Sequence, residues 1–90
     1  MHELRVLCRV VIYNPTTLMI LLVRNSGQKW WCAPGGGWDH AHETVLECAK
    51  REALEETGIQ VNIIKLLYAQ TLYIKTQDNT WLEQFWLAEL

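Results

Sequence analysis

Residues 37–59 read GWDHAHETVLECAKREALEETGI, and they carry the most specific pattern in the chain. Within it, fixed residue types stand at the spacing G-x5-E-x7-R-E-x2-E-E-x-G. If each fixed position were met at random roughly once in fifteen, from average residue usage, the pattern would occur in about one window in 10^8. Chance is therefore a poor explanation. The residues of the pattern are Gly37, Glu43, Arg51, Glu52, Glu55, Glu56 and Gly58.

Local signals in the same stretch predict a helix over about residues 44–57. Thr44 is a good N-cap with Glu47 three residues later, and Gly58 is a natural stop after the last turn. At about 100° per residue, apolar and small residues collect on one side of this helix, which predicts close packing against a sheet. Those residues are Val45, Leu46, Ala49 and Ala53.

Three carboxylates, Glu52, Glu55 and Glu56, occupy the last part of the predicted helix. A helix C-terminus carries partial negative charge and favours cations, so these acids are repelled by one another and by the helix end. The ordinary alternative is a solvated charged face, the usual state of surface glutamate. A bound divalent cation would relieve the repulsion, and oxygen-only ligands favour Mg²⁺ or Mn²⁺ over Zn²⁺.

The pattern resembles the signature of the Nudix hydrolases, which also continues from a glycine-rich turn such as the one at residues 33–37. The resemblance covers the chain as the N-terminal two-thirds of a Nudix fold. It implies a Nudix-like α/β sandwich with a mixed β-sheet, truncated after the strand predicted at residues 81–90. It also implies one such domain over residues 1–90, short at its C-terminal side.

By this resemblance, Glu52, Glu55 and Glu56 hold Mg²⁺ or Mn²⁺ against a pyrophosphate that water then splits. A divalent ion suits this reaction because it neutralises charge on the phosphate oxygens and orients the attacking water. Glu52 is the carboxylate expected to accept the proton of that water. Many family members instead take this base from a loop further downstream.

The resemblance makes Arg51 an orienting residue that pairs with a carboxylate of the motif, and it makes Glu43 the partner or an outer metal ligand. The alternative for Arg51 is an ordinary helix ion pair with Glu47 or Glu55, worth about 0.2–0.5 kcal/mol. The sequence leaves both interpretations open.

The glycines before the helix are expected to contact the substrate. Gly35, Gly36 and Gly37 would let backbone N–H groups approach phosphates, although glycine also serves any tight turn. Trp38 follows in a polar loop and is the better candidate among the nearby tryptophans to stack on a base or ribose.

Other aromatic and imidazole side chains near the motif are assigned structural or solvent roles. Core packing is expected for at least one of Trp30 and Trp31. His40 and His42 are expected to be a solvated pair rather than a metal site.

The rest of the chain reads as strands. Residues 4–13 and 18–23 are apolar and β-prone on either side of an Asn-Pro-Thr-Thr turn, which predicts a hairpin. After the helix, residues 61–76 predict a long strand with a bend or bulge. A turn at residues 77–80 and a last strand at residues 81–90 follow.

Composition narrows the class of protein. The chain has 90 residues, a formal net charge of −2 and no run of Lys or Arg, which argues against a nucleic-acid duplex as partner. Its three cysteines lack C-x-x-C spacing and are expected to be buried thiols in a reducing compartment. The absence of a leader pattern and of a long apolar run predicts a soluble cytoplasmic protein without a membrane partner.

Two function classes follow. The first is Mg²⁺-dependent hydrolysis of a pyrophosphate linkage in a nucleoside diphosphate derivative, with a nucleotide-type small molecule as substrate. The second is a catalytically weak or silent nucleotide-binding or assembly module, which the short C-terminal side favours. Because one helix cannot cover both faces of an apolar sheet, a homodimer is also expected, with exchanged strands as one form.

Overall fold

The computed structural model describes residues 2–90. These residues form one mixed sheet in the order β2-β1-β4-β3, in which β1 and β4 are parallel and the other neighbours are antiparallel. The helix packs mainly over β1 and β2. The predicted α/β fold with a mixed sheet is confirmed. The elements are β1 (Leu4–Tyr13), β2 (Gly35–Gly37), α1 (Val45–Thr57), β3 (Asn62–Ile74) and β4 (Asn79–Glu89).

The helix α1 begins and ends at the predicted signals. The Thr44 hydroxyl accepts from the Glu47 backbone N–H at 3.2 Å, and the Glu47 carboxylate accepts from the Thr44 N–H at 2.9 Å. Gly58 closes the last turn with φ 74°, and its N–H donates to the Leu54 carbonyl. Only glycine adopts this left-handed conformation without strain, which is why the helix stops there.

The core lies between α1 and β1. Alternate residues of β1 face the helix because successive strand side chains point to opposite sides of a sheet. Ala49 and Ala53 bring α1 close to that surface. Leu46, expected on the buried side, is 45% exposed, because it lies about 90° from the centre of the buried arc of the helix. The buried apolar residues are Cys8, Val10, Ile12, Cys48, Ala49, Ala53, Val61 and Ala88.

The prediction of a strand at residues 18–23 is wrong, and the predicted hairpin with β1 is not formed beyond isolated bridges. The segment makes two isolated bridges, Tyr13 with Ile20 and Val23 with Cys32. The reason is that one edge of β1 is fully paired and the other is paired in part. β4 pairs with β1 along its whole length and β2 pairs with residues 7–9, so the returning segment reaches only the end of β1.

The glycine-rich stretch is a short strand rather than the predicted turn. Gly35, Gly36 and Gly37 pair antiparallel with Arg9, Cys8 and Leu7. A Cβ on Gly35 would overlap the Cys8 carbonyl and the Arg9 Cα. Glycine is therefore required here for close approach of two backbones, not for a turn conformation.

The last two strands are confirmed, with small shifts in their ends. β3 carries register shifts at Ile63/Lys65 and Leu66/Tyr68, which are the irregularities its length predicted. β4 begins at Asn79 instead of the expected Trp81. β3 is the outer strand of the sheet, and most of its side chains are exposed.

The three cysteines carry free thiols, with Cys8 and Cys48 buried and Cys32 half-buried. Burial raises the pKa of both buried thiols, so these side chains are neutral packing groups. No helix within residues 2–90 is long and apolar enough to cross a membrane.

Candidate functional site

Arg51 is the centre of a charged cluster on α1. Its Nε and Nη2 donate to the two carboxylate oxygens of Glu43 at 2.7 and 2.9 Å, a bidentate pair. Its Nη1 donates to Glu52 at 2.8 Å and to Glu55 at 3.2 Å. Nη2 also reaches the Gly37 carbonyl at 3.4 Å. All three nitrogens of the guanidinium are therefore engaged.

This geometry resolves the alternatives that the sequence left open for Arg51. The pair with Glu55 is the ordinary one at i, i+4. The bidentate pair with Glu43 joins the loop before the helix to the helix itself, across eight residues. Glu47, the other helix candidate, is engaged in the N-cap instead. Arg51 thus forms both ion pairs, and the bidentate pair with Glu43 has the stronger geometry.

Glu52 and Glu56 lie on the side of α1 that faces β2, within the same arc as the buried alanines. The Glu52 side chain is only 14% exposed, and its carboxylate stands where a Cβ on Gly36 would be. Glu56 accepts a hydrogen bond from the Gly35 backbone N–H at 3.2 Å. The glycine strand is thus placed directly against two of the three acids.

Two of these carboxyl groups have shifted pKa values. Hydrogen bonds from Arg51 lower the pKa of Glu43 from its ordinary 4.5 to about 2, against the opposing effect of burial. Burial raises the pKa of Glu56, and the negative charges of Glu52 and Glu55 add to this rise. The Gly35 N–H and the charge of Arg9 act in the opposite direction. Glu56 is therefore ionised at a cost in free energy.

The Glu43–Arg51 pair should make the free energy of unfolding fall with acid between about pH 4.5 and about pH 2. The pKa of Glu43 is lower in the folded state, so the unfolded chain binds more protons in this window. The contribution is complete above the unfolded pKa and is lost as the pH falls through the folded one. Urea unfolding across this range should give a flatter pH dependence for Glu43→Gln.

The matched control is Glu3→Gln, because Glu3 makes an exposed ion pair with Arg5. We expect its pH dependence to follow the wild type. Equal slopes for the wild type and Glu43→Gln would contradict the prediction.

The acids of α1 fit a divalent cation by their chemistry but are not gathered around one position. No group of three or more His, Cys, Asp or Glu side chains converges on a metal position in the described part of the chain. Arg51 engages Glu52 and Glu55, while Glu56 is held by Gly35. The donor set nevertheless fits a hard cation, because it offers carboxylate oxygens only. A cation there would also remove the cost that the raised pKa of Glu56 reports.

Trp38 is more firmly fixed than its position in a polar loop predicted. Its ring is half-buried against the core, and its Nε1 donates to the Glu43 carbonyl at 2.8 Å. It also lines an open groove of about 560 Å³ together with Gly37, Arg5 and Trp81. The three acids of the helix do not line this groove. Trp38 thus has one edge in the core and another toward open space.

The remaining aromatic and imidazole predictions have mixed outcomes. The expectation that Trp30 or Trp31 packs in the core is wrong, since they are 65% and 59% exposed. Trp31 instead stacks against the guanidinium of Arg24, with 4.9 Å from the Arg24 Cζ to the ring centroid. His42 is exposed and pairs with Asp39, which agrees with a solvated role.

Sequence reasoning missed one charged pair in the sheet. Arg9 and Glu83 form an ion pair between β1 and β4, with Nε to Oε2 at 2.5 Å, and Gln70 of β3 donates to the other Glu83 oxygen at 2.8 Å. Glu83 is buried at 6% exposure. The available signal was a single charged residue in the middle of each apolar strand, LRVLCRVVIY and NTWLEQFWLAE.

Comparison with known proteins gives three informative matches. The NAD-capped RNA hydrolase ndx-9 of Caenorhabditis elegans is 40% identical over 63 residues, which cover 63% of this chain and 16% of that protein. A MutT NUDIX hydrolase from Burkholderia pseudomallei is 28% identical with a TM-score of 0.80, over 99% of this chain and 69% of that one. A NUDIX hydrolase from Nitrosomonas europaea is 23% identical with a TM-score of 0.80, over 97% and 59%.

The chain thus spans about a sixth of the curated relative and about three-fifths of the N. europaea structure. The N. europaea likeness, below 25% identity, supports the fold alone. The family model described as the NUDIX domain matches residues 3–89, nearly the whole chain. Together with the helix, the glycine strand and the acids described above, this match shows that the chain belongs to the NUDIX domain family.

Proposed function

We propose that the chain catalyses Mg²⁺-dependent, or Mn²⁺-dependent, hydrolysis of a pyrophosphate linkage in a nucleoside diphosphate derivative. The observation that carries this proposal is the position of Glu52 and Glu56 on the sheet-facing side of α1. Carboxylates are costly in partly buried positions unless they serve a charged partner. A cation bound between these acids and a phosphate is such a partner.

In this proposal each charged residue has a separate role. Glu52, Glu55 and Glu56 would hold the cation, which supplies charge neutralisation at the phosphate oxygens when it is bound. Glu52 would also accept the proton of the attacking water. Arg51 and Glu43 would act as positioning residues, because their bidentate pair fixes the helix against the preceding loop.

The substrate would lie along β2 and the loop after it. Gly35, Gly36 and Gly37 would allow close approach of phosphates, although the Gly35 N–H is already bonded to Glu56. Trp38 would offer its open edge to the base or ribose, and the groove beside it supports this placement.

A panel of pyrophosphate compounds tests the proposed reaction. Nucleoside triphosphates, ADP-ribose, dinucleotide polyphosphates, sugar nucleotides and NAD-capped RNA would each be incubated with the purified protein and Mg²⁺. NAD-capped RNA is included because the C. elegans relative carries that name. Two phosphate-containing products that depend on both protein and metal would support the proposal. No product from any compound would overturn it.

A catalytically silent nucleotide-binding or assembly module is the second candidate. It is favoured by the absence, within residues 2–90, of side chains already converged on a metal position. The same panel distinguishes the two functions if binding is measured beside turnover. Nucleotide binding without products would favour the module.

Three predictions about the protein as a whole also stay proposals. They are a single Nudix-like domain over residues 1–90, a cytoplasmic location, and the absence of nucleic-acid duplexes and membranes among its partners. The free thiols support a reducing compartment, since disulfides are typical of oxidising ones. Cell fractionation tests the location directly.

We also propose a homodimer that covers the outer strand β3, with strand exchange as one form of it. This strand ends the sheet, and an unpaired edge rich in apolar side chains is a ready site for association. The exposed large apolar residues on β3 are Ile64, Leu66, Leu67, Tyr68, Leu72 and Tyr73.

Sedimentation equilibrium at micromolar concentration should therefore give a dimer mass for the wild type. The variant Leu67→Lys/Tyr68→Lys should shift the mass toward the monomer, because it places charges on β3. The control Leu18→Lys changes another exposed leucine, 79% exposed and outside β3, and should leave the dimer intact. A well-folded wild-type monomer would refute this proposal.

A further inference from the structure

Arg9 occupies an unusual place for a charged residue. It lies in the middle of β1, opposite Gly35 of β2 and Phe85 of β4, and its side chain is 24% exposed. An arginine in the middle of a central strand is rarely placed there without a polar partner. Glu83, at 6% exposure, is that partner.

The guanidinium of Arg9 is held at two of its three nitrogens. Nε donates to Glu83 at 2.5 Å, and Nη1 donates to the Ala33 carbonyl at 3.0 Å, two residues before β2. Glu83 is itself fixed by Gln70. A guanidinium fixed in this way loses little further freedom when it binds a ligand.

The third nitrogen, Nη2, remains available. It makes no hydrogen bond to any residue that the structure describes, and it is not enclosed either. Asn79 Oδ1 is the one buried side-chain N or O atom without a partner among residues 2–90. Solvent therefore reaches Nη2, which has two free N–H donors of the kind that bind a phosphate oxygen.

Arg9 and Glu56 are connected through the glycine strand, because Arg9 pairs with Gly35 in the sheet and the Gly35 N–H donates to Glu56. The other arginine of this region cannot serve an anion, because Arg51 has every nitrogen engaged by Glu43, Glu52, Glu55 or the Gly37 carbonyl. An anionic substrate beside three carboxylates needs a positive protein group as well as a cation. Arg9 is such a group, with a free donor.

We propose that Arg9 is a phosphate-binding residue, which contacts the pyrophosphate of the ligand through Nη2 while Glu83 and Ala33 hold the guanidinium in place. This inference rests on the proposed function, because it assumes that the acids of α1 and the glycine strand receive a pyrophosphate. It adds to that function a binding group on β1. Glu83 becomes a positioning residue.

The alternative is that Arg9 and Glu83 form an ion pair that only stabilises the sheet. The two accounts differ in what Glu83→Gln does. The amide oxygen of the new side chain can still accept a hydrogen bond from Arg9, while the positive charge of Arg9 is no longer neutralised. If Arg9 binds phosphate, Glu83→Gln should therefore weaken binding much less than Arg9→Gln does. If the pair were purely structural, Arg9→Gln and Glu83→Gln should weaken binding to the same extent.

The experiment measures binding of methylenebisphosphonate, a pyrophosphate analogue that is not hydrolysed at its bridge, by calorimetry in the presence of Mg²⁺. Arg9→Gln should raise its Kd about 10- to 100-fold, the size expected for a lost charged hydrogen bond. Glu83→Gln should raise the Kd much less than Arg9→Gln does, because its amide oxygen still accepts from Arg9. Lys75→Gln removes one exposed positive charge elsewhere and should change the Kd by less than about twofold.

Arg9→Gln leaves a buried carboxylate without its cation and is at risk of misfolding. Arg9→Lys keeps that charge, but its single ammonium is occupied by Glu83 and leaves no donor at the Nη2 position. It should fold, as urea unfolding would verify, and should still raise the Kd about tenfold or more. An unchanged Kd in Arg9→Lys would overturn the proposal.

Failure of this inference is distinguishable from failure of the proposed hydrolysis. The probe is not turned over, so its Kd does not depend on catalysis. The wild type could bind the probe but hydrolyse nothing in the panel. If the Arg9 variants then lost that binding, the result would support the phosphate-binding role of Arg9 and overturn the proposed hydrolysis. Three outcomes would overturn the role of Arg9. The first is turnover with an unchanged Kd in the Arg9 variants, and the second is an equal rise in Kd in Arg9→Gln and Glu83→Gln. The third is no binding of the probe by the wild type.

Discussion

Replacing Glu56 with glutamine should lower turnover of a pyrophosphate substrate by orders of magnitude, because the proposed cation loses a charged ligand. The change keeps the shape of the side chain, and the amide oxygen can still accept from the Gly35 N–H. It removes one of three negative charges proposed to hold the cation. The loss should therefore fall on metal-dependent turnover rather than on the fold.

The same variant should be more stable than the wild type when no metal is present. The folded-state pKa of Glu56 is raised by burial and by the charges of Glu52 and Glu55, so its ionised form opposes folding above that pKa. A neutral side chain also removes a negative charge near the negative end of the helix dipole. Thermal unfolding in chelator at neutral pH measures this gain.

Glu89→Gln is the matched control, because Glu89 is an exposed carboxylate at the end of β4. Its turnover and stability should equal those of the wild type. Wild-type turnover in Glu56→Gln would remove Glu56 from the site.

Gly35→Ala should destabilise the fold by about 3 kcal/mol or more, the upper end of the range for overpacking. The added Cβ would overlap the Cys8 carbonyl and the Arg9 Cα, both backbone atoms of the central strand β1. Neither can move without breaking the pairing of β1 with β2. For a domain of this size, such a loss is a large share of the total free energy of unfolding.

The neighbouring glycines provide graded controls. At Gly36 the new methyl group would meet the Glu52 carboxylate, a side-chain end that can swing away, so Gly36→Ala should fold but lose turnover. At Gly37 the nearest atom, of Trp81, is 3.9 Å away, so Gly37→Ala should be close to neutral. Urea midpoints rank the three variants, and a Gly35→Ala protein as stable as Gly37→Ala would contradict the prediction.

The helix and its limits were predictable because they depend on residues that are close in the chain. The Thr44–Glu47 capping box and the left-handed Gly58 act over three or four residues. The length of β3 likewise predicted its irregular register. Where the prediction failed, at residues 18–23, the segment is as apolar as a true strand. It makes only isolated bridges, because β4 pairs along one edge of β1 and β2 takes residues 7–9 of the other.

The order of residues in the chain was enough to predict the family motif, the helix, the arc of acids on it and most of the strands. The ion-pair partners of the charged side chains depend instead on how the elements pack in the folded chain. Arg51 binds Glu43 and Glu55 together, and Arg9 binds Glu83 from 74 residues away. This difference arises because spacing along the chain fixes contacts within one helix or strand only. Contacts between strands depend on which of them become neighbours, and here β4 inserts between β1 and β3.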